Sequence, residues 1–150
     1  MAEPVRVAVI GMGGFASEHL RVLRQLESEG VCQIVAVCDP HPEAFADAAG
    51  FAKVYTEWKQ MIAECAGELQ VCTVPTPIPL HAEMHREIIN AGLSCYLEKP
   101  PTLDPEELAE MIEVDKQAKR KTQVGFNFII EPQRRRLKKR IVTGEFGTVL

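Results

Sequence analysis

The sequence predicts a doubly wound α/β domain, a parallel sheet with helices on its two faces. Three observations predict it. Short apolar runs rich in valine and isoleucine recur along the chain, each followed by a stretch with helical spacing. The first run, residues 5–10, stops at a cluster of glycines and passes straight into such a stretch. The second, residues 33–38, ends on an acid, Asp39.

Residues 5–10 read VRVAVI, interrupted only by Arg6, as in a strand buried on both faces of a parallel sheet. Gly11, Gly13 and Ala16 then fall at the G-x-G-x-x-G/A spacing. Gly11 lets the chain turn tightly, Gly13 removes a Cβ that would hold a pyrophosphate away, and Ala16 allows close helix–strand packing. The turn Gly11, Met12, Gly13, Gly14, Phe15 is thus a candidate dinucleotide cradle, opening onto the N–H groups and positive dipole end of a helix. That helix, residues 17–27, places Leu20, Leu23 and Leu26 on one face. Asp39 lies at about the ~20-residue interval expected of an acid that holds ribose hydroxyls. No cation follows it directly, and a carboxylate repels the 2′-phosphate of NADP, so NAD is the expected cofactor.

Further along, residues 42–49 read as a short Ala-rich helix ended by Gly50, and residues 53–55 as a brief strand. Thr56 is the expected cap of a helix to about residue 64. Residues 70–74 form a fourth strand, then a proline-rich turn, and residues 80–91 a helix stopped by Gly92. A fifth strand covers 93–97. Asp104 and Pro105 open a helix to about residue 118. Residues 123–128 read as a sixth strand, and 131–143 as a last helix ended by Gly144.

Composition narrows the function classes. The 150 residues are 46 % hydrophobic, enough for one ordinary core, and carry a net charge of −4. An acidic chain gives no general reason to expect nucleic acid or an anionic membrane as partner. No apolar stretch has spanning length and no signal-peptide core opens the chain, so a cytoplasmic protein is expected. Five cysteines, none in a C-x-x-C pair, read as reduced core residues. Arg134 to Arg140 holds six cations in seven residues; without interleaved aromatics it reads as a solvated helix face. His81 and His85 stand four apart, but Glu83 is rotated about 200° from His81, so no zinc motif and no metal site is expected.

Two loops complete the candidate site. Ligands of open α/β sheets bind beyond the carboxyl ends of the strands. Pro75, Thr76 and Pro77, with His81 close behind, should therefore line the cofactor cleft. Glu98, Lys99 and Pro100 close the fifth strand. A lysine ammonium near a cofactor can polarise a hydroxyl and favour its ionised form, with Glu98 orienting it. The alternative, a solvated Glu–Lys pair, stays open on these residues alone. So does the isomer of the Lys99–Pro100 bond, since an X–Pro bond gives up little in cis.

With these residues assembled, the whole chain resembles the N-terminal half of the Gfo/Idh/MocA oxidoreductases, the glucose–fructose oxidoreductase and inositol dehydrogenase family. Gly11, Gly13, Ala16 and His19 match its G-x-G-x-x-G/A-x-x-H opening, and Asp39 its ribose-binding acid. Thr76, Pro77 and His81 match its T-P-N-x-x-H loop, Glu98-Lys99-Pro100 its E-K-P motif, and Gly125-Phe126-Asn127 its G-F-N strand end. Ile78 departs from the usual Asn, and Phe128-Ile129-Ile130 stand where many members place an Arg. The resemblance implies a Rossmann NAD-binding fold over residues 1–128. It implies that residues 129–150 are a linking helix and the first residues of a C-terminal α+β sheet domain otherwise absent from this chain. That domain would carry the substrate-binding Asp and His and usually the homo-oligomer interface. The implied function is hydride transfer between a nicotinamide and a secondary alcohol of a sugar, inositol or related polyol. Lys99 would be catalytic, and His81 and Glu98 would stand among the cofactor contacts. The alternative expectation is a non-catalytic nucleotide-binding sensor or repressor, since fold alone does not fix function; a methyltransferase with a glycine-rich loop is a second rival.

Overall fold

The computed structural model describes residues 3–148. Six strands form one sheet: β1 (Val5–Ile10), β2 (Cys32–Cys38), β3 (Val54–Tyr55), β4 (Val71–Val74), β5 (Ser94–Leu97) and β6 (Thr122–Val124). Their spatial order is β3-β2-β1-β4-β5-β6, and every neighbouring pair is parallel. Parallel strands need crossovers: α1 (Ala16–Ser28) joins β1 to β2, α2 (Trp58–Cys65) β3 to β4, α3 (His81–Asn90) β4 to β5 and α4 (Pro105–Gln117) β5 to β6, whereas β2 reaches β3 without an α-helix. The order reverses between β1 and β4, which opens a crevice at the carboxyl ends of those two strands.

Both sheet faces are packed, which is why the strands read as nearly continuous apolar runs. On one face Met61 and Ile62 of α2, Met84 and Ile88 of α3 and Met111 of α4 pack with Ala8, Ile10, Cys72, Val74, Cys95 and Leu97. On the other, Leu20 of α1 packs with Val9, Met12, Ile34 and Val37. Beyond β1 this second face is less covered. A cavity of about 390 Å³ lies there between α1 and the strands, walled by Val7, Leu23, Leu26, Val71 and Thr73.

Most elements match the sequence reading within a residue or two. Gly92 and Gly144 end their helices with φ of +78° and +75°. Asp104 caps α4, its Oδ1 accepting from the N–H of Glu106 at 2.7 Å and of Glu107 at 3.3 Å. α5 (Pro132–Val142) is exposed throughout, with Arg134 paired to Glu131 and Arg140 to Glu145. Val149 and Leu150, expected to begin a second domain, lie outside the described residues.

Three expectations are corrected. The helix expected over residues 42–49 is two short 3₁₀ turns, Pro42–Ala44 and Ala48–Gly50, with Phe45 extended after the first. Phe45 packs against the Met12–Leu20 cluster, so a tertiary contact overrides the helix preference of the alanines. Thr56 does not cap α2. Glu57 takes that place with φ −120° and ψ 115°, and the helix starts at Trp58, which packs on the core. The sixth strand stops at Val124 rather than 128. Gly125 still donates to Leu97 at 2.8 Å, but Phe126 N–H turns back onto Val124 O and a 3₁₀ turn, Asn127–Ile130, follows.

Candidate functional site

The first strand delivers the glycine turn to the mouth of the crevice. Gly11 has φ +106°, a conformation that suits glycine, and its N–H donates to Cys38 O at 2.6 Å. A Cβ there would meet the Ala16 side chain, Pro75 O and Thr76, all between 3.6 and 3.7 Å, so the turn and the loop after β4 lie in contact. Gly14 has φ +56°. The space beside Gly13 differs from expectation, because a Cβ there would lie 3.1 Å from the Phe45 ring, not against an open phosphate site. Among the described residues, the N–H groups of Gly13, Gly14 and Phe15 donate to no other group of the chain. Met12, by contrast, is buried, and its N–H donates to Asp39 Oδ2 at 2.9 Å.

Asp39 stands at the carboxyl end of β2, where the sequence puts it. Its Oδ1 accepts from His41 N–H at 3.0 Å while Oδ2 holds Met12, so the carboxylate is fixed against the glycine turn. Each oxygen keeps a second acceptor position for a ribose hydroxyl.

Pro75, Thr76 and Pro77 follow β4 directly, and Pro75 O and the Thr76 side chain lie beside Gly11. His81 does not reach the crevice. The ring is 1 % exposed, with Nδ1 2.9 Å from Pro100 O and Nε2 2.8 Å from Thr76 O. The ring thus lies between backbone carbonyls of two loops, a clasp that ties the loop after β4 to the loop after β5.

Glu98 and Lys99 part company at the end of β5. Lys99 is exposed beside the cavity and the Lys99–Pro100 bond is cis. Glu98 is 9 % exposed, and its Oε2 accepts the Lys99 backbone N–H at 3.1 Å. Its Oε1 lies 3.0 Å from His19 Nε2 on α1. The His19 ring packs edge-on between Phe15, at 5.5 Å, and Tyr96, at 5.6 Å. Burial, and then the Glu98 charge, push the Tyr96 phenol above its ordinary range. Reasoning from residue types gives no role to His19, Tyr96 or Gly125, yet all three surround the Glu98 carboxylate. Only the motif spacing at His19 and the Gly-Phe-Asn after β6 signal them.

The arrangement suits a dinucleotide. Free N–H groups at a helix N-terminus face anionic phosphates favourably, and a carboxylate at the end of the next strand accepts ribose hydroxyls. Among the described residues, no group of three or more His, Cys, Asp or Glu side chains is placed to hold a metal ion, and no helix is long and apolar enough to cross a membrane.

Strand order, glycine turn and acid define the class as a dinucleotide-binding α/β domain. The chain belongs to the oxidoreductase family with an NAD-binding Rossmann fold, whose family model matches residues 5–126. It is 28 % identical over 145 residues to inositol 2-dehydrogenase of Rhizobium meliloti, covering 97 % of this chain and 43 % of that protein. The structure of myo-inositol 2-dehydrogenase from Lactobacillus plantarum matches with a TM-score of 0.86 and 31 % identity, over 98 % of this chain and 43 % of that one. The WlbA dehydrogenase of Bordetella pertussis, solved in complex with NADH and UDP-GlcNAcA, matches with a TM-score of 0.83 and 26 % identity, over 96 % and 43 %. The chain thus spans less than half the length of the relatives it matches.

Proposed function

We propose that this chain is the cofactor-binding part of an NAD-dependent oxidoreductase acting on a secondary alcohol of inositol, a sugar or a related polyol. The observation that carries the reading is Lys99, an exposed ammonium at the carboxyl end of β5 whose backbone is tied to a buried carboxylate. Oxidation of an alcohol removes a hydride from carbon and a proton from oxygen, and bound NAD supplies the hydride acceptor. The N–H groups of Gly13, Gly14 and Phe15 hold the pyrophosphate. Asp39 accepts from the ribose hydroxyls and disfavours a 2′-phosphate. Pro75, Thr76 and Pro77 border the nicotinamide side. Lys99 Nζ donates to the reacting oxygen and its charge stabilises the ionised form, while the hydroxyl proton, which an ammonium cannot accept, passes to solvent water at this exposed strand end. Relatives named as inositol 2-dehydrogenases, and one solved with NADH, support this reading.

Calorimetric titration of the chain with NAD and with NADP tests the cofactor half. NAD is expected to bind more tightly, and Asp39→Ala to weaken it by about tenfold or more, roughly 1.4 kcal/mol. Failure of both nucleotides to bind a chain that melts cooperatively by circular dichroism would overturn the reading. Formation of NADH from NAD and myo-inositol by the protein, abolished in Lys99→Ala, tests the reaction.

A further inference from the structure

The Glu98 carboxylate joins two parts of the site that the dinucleotide reading treats separately. A carboxylate only accepts hydrogen bonds, so the contact at 3.0 Å fixes a proton on His19 Nε2, which donates to Oε1. Oε2 accepts from the backbone N–H of Lys99 at 3.1 Å, and the Glu98 N–H donates to Val74 O at 3.3 Å. One oxygen therefore holds α1, and the other holds the residue that carries the ammonium.

His19 sits one turn into α1, the helix that follows directly on Gly13, Gly14 and Phe15 with their free N–H groups. Phe15, on that turn, touches the His19 ring edge-on, and Tyr96 of β5 touches it from the sheet. The imidazole thus has little freedom to rotate. The pair is secluded, with side-chain exposures of 10 % and 12 %, where a hydrogen bond to a charged group is strengthened by the low local dielectric. Gly125 has no Cβ to displace the carboxylate.

We infer that His19, acting through Glu98, couples occupation of the pyrophosphate turn to the placement of Lys99. His19 is then a positioning residue: through Glu98 it transmits a movement of the α1 N-terminus to the Lys99 backbone. The inference rests on the dinucleotide reading above. It adds a mechanical link by which a nucleotide bound at the turn sets the lysine.

ADP-ribose is the probe, because it fills the adenosine and pyrophosphate positions but has no nicotinamide ring to touch Lys99 directly. Amide NMR spectra of the ¹⁵N-labelled chain are recorded during titration of the wild type, His19→Leu and His19→Gln. In the wild type, ADP-ribose is expected to shift the Lys99 amide along with those of Gly13, Gly14 and Phe15. In His19→Leu the turn amides still shift, whereas the Lys99 response is lost. Glutamine places an N–H donor near the position of Nε2, so His19→Gln is expected to restore that response. A purely packing role would lower the melting temperature of both variants without this selective loss. Saturation of the turn with no Lys99 shift in the wild type overturns the coupling, as does an undiminished Lys99 shift in a folded His19→Leu. ADP-ribose that fails to bind where NAD binds also counts against it, since the turn then has no occupant to sense. Absence of binding by both NAD and ADP-ribose would instead overturn the dinucleotide reading itself.

Discussion

Gly125 and Glu98 share one space: a Cβ on Gly125 would stand 2.9 Å from Oε1 of Glu98 and 3.3 Å from its Cδ. The Tyr96 hydroxyl would lie 3.3 Å away on the same side. A flexible carboxylate elsewhere would swing aside, but here it does so only by releasing His19 or the Lys99 N–H. Gly125→Ala is expected to lower unfolding stability by about 1–3 kcal/mol, the usual range for overpacking. Urea denaturation measures this. An unchanged midpoint would mean that the turn after β6 yields instead of Glu98.

The His81 clasp leads to a second expectation. Its ring closes the loop after β4 onto the loop after the Lys99–Pro100 bond, through Thr76 O and Pro100 O. His81→Leu fills similar volume but removes the one N–H that a neutral ring donates to these carbonyls, which is expected to lower stability by about 1–3 kcal/mol. NAD affinity should weaken as well, because the loop bordering the nicotinamide side is no longer fixed. Calorimetry on the folded variant separates the two effects. Unchanged NAD affinity in His81→Leu would show that the clasp serves stability alone.

The frame of the site was legible in the sequence because it rests on local rules. Gly11 turns where a positive φ is needed, Asp39 ends a strand at the required interval, and Asp104 caps its helix through its own carboxylate. What local rules could not reach depends on contacts between distant residues. Phe45 unwinds an Ala-rich helix by packing near Gly13, 32 positions away in sequence by their numbers, and His81 looks like a cleft histidine until Pro100 O is found beside it. His19 and Glu98 are 79 residues apart, and nothing near either one announces the pairing.

Cysteine chemistry gives a third prediction. Burial pushes the thiols of Cys38 and Cys72 up to about 12, with further help from the Asp39 charge at Cys38 and from Cys65 at Cys72. Burial likewise raises Cys95 and Cys32. All five cysteines are buried and unbridged. Because the thiolate is the reactive form, an aromatic disulfide reagent at mildly alkaline pH should label the native chain only as fast as it opens. In denaturant all five should react promptly. Rapid labelling of the native protein would contradict the packing of β2, β4 and β5.

The last prediction concerns His85, whose ring is 1 % exposed on α3. Burial pushes its pKa below the ordinary histidine value, and Asp115, with Oδ1 3.5 Å from Nε2, opposes that only in part. Among the described residues its Nδ1 has no partner, so a second proton would be added to a buried, unsolvated nitrogen. The unfolded chain, by contrast, takes up that proton near the unperturbed value, about 6.5. Above that pH both states are neutral at this residue and it contributes no slope. As pH falls below it, the unfolded state binds more protons than the folded one, so stability declines until the lower folded pKa is passed. Chemical denaturation across this acidic window should therefore show a falling stability in the wild type. In His85→Leu, which has no proton to gain, this component of the slope should vanish. An identical slope in the variant would assign it to other groups and would mean that His85 titrates alike in the folded and unfolded chain.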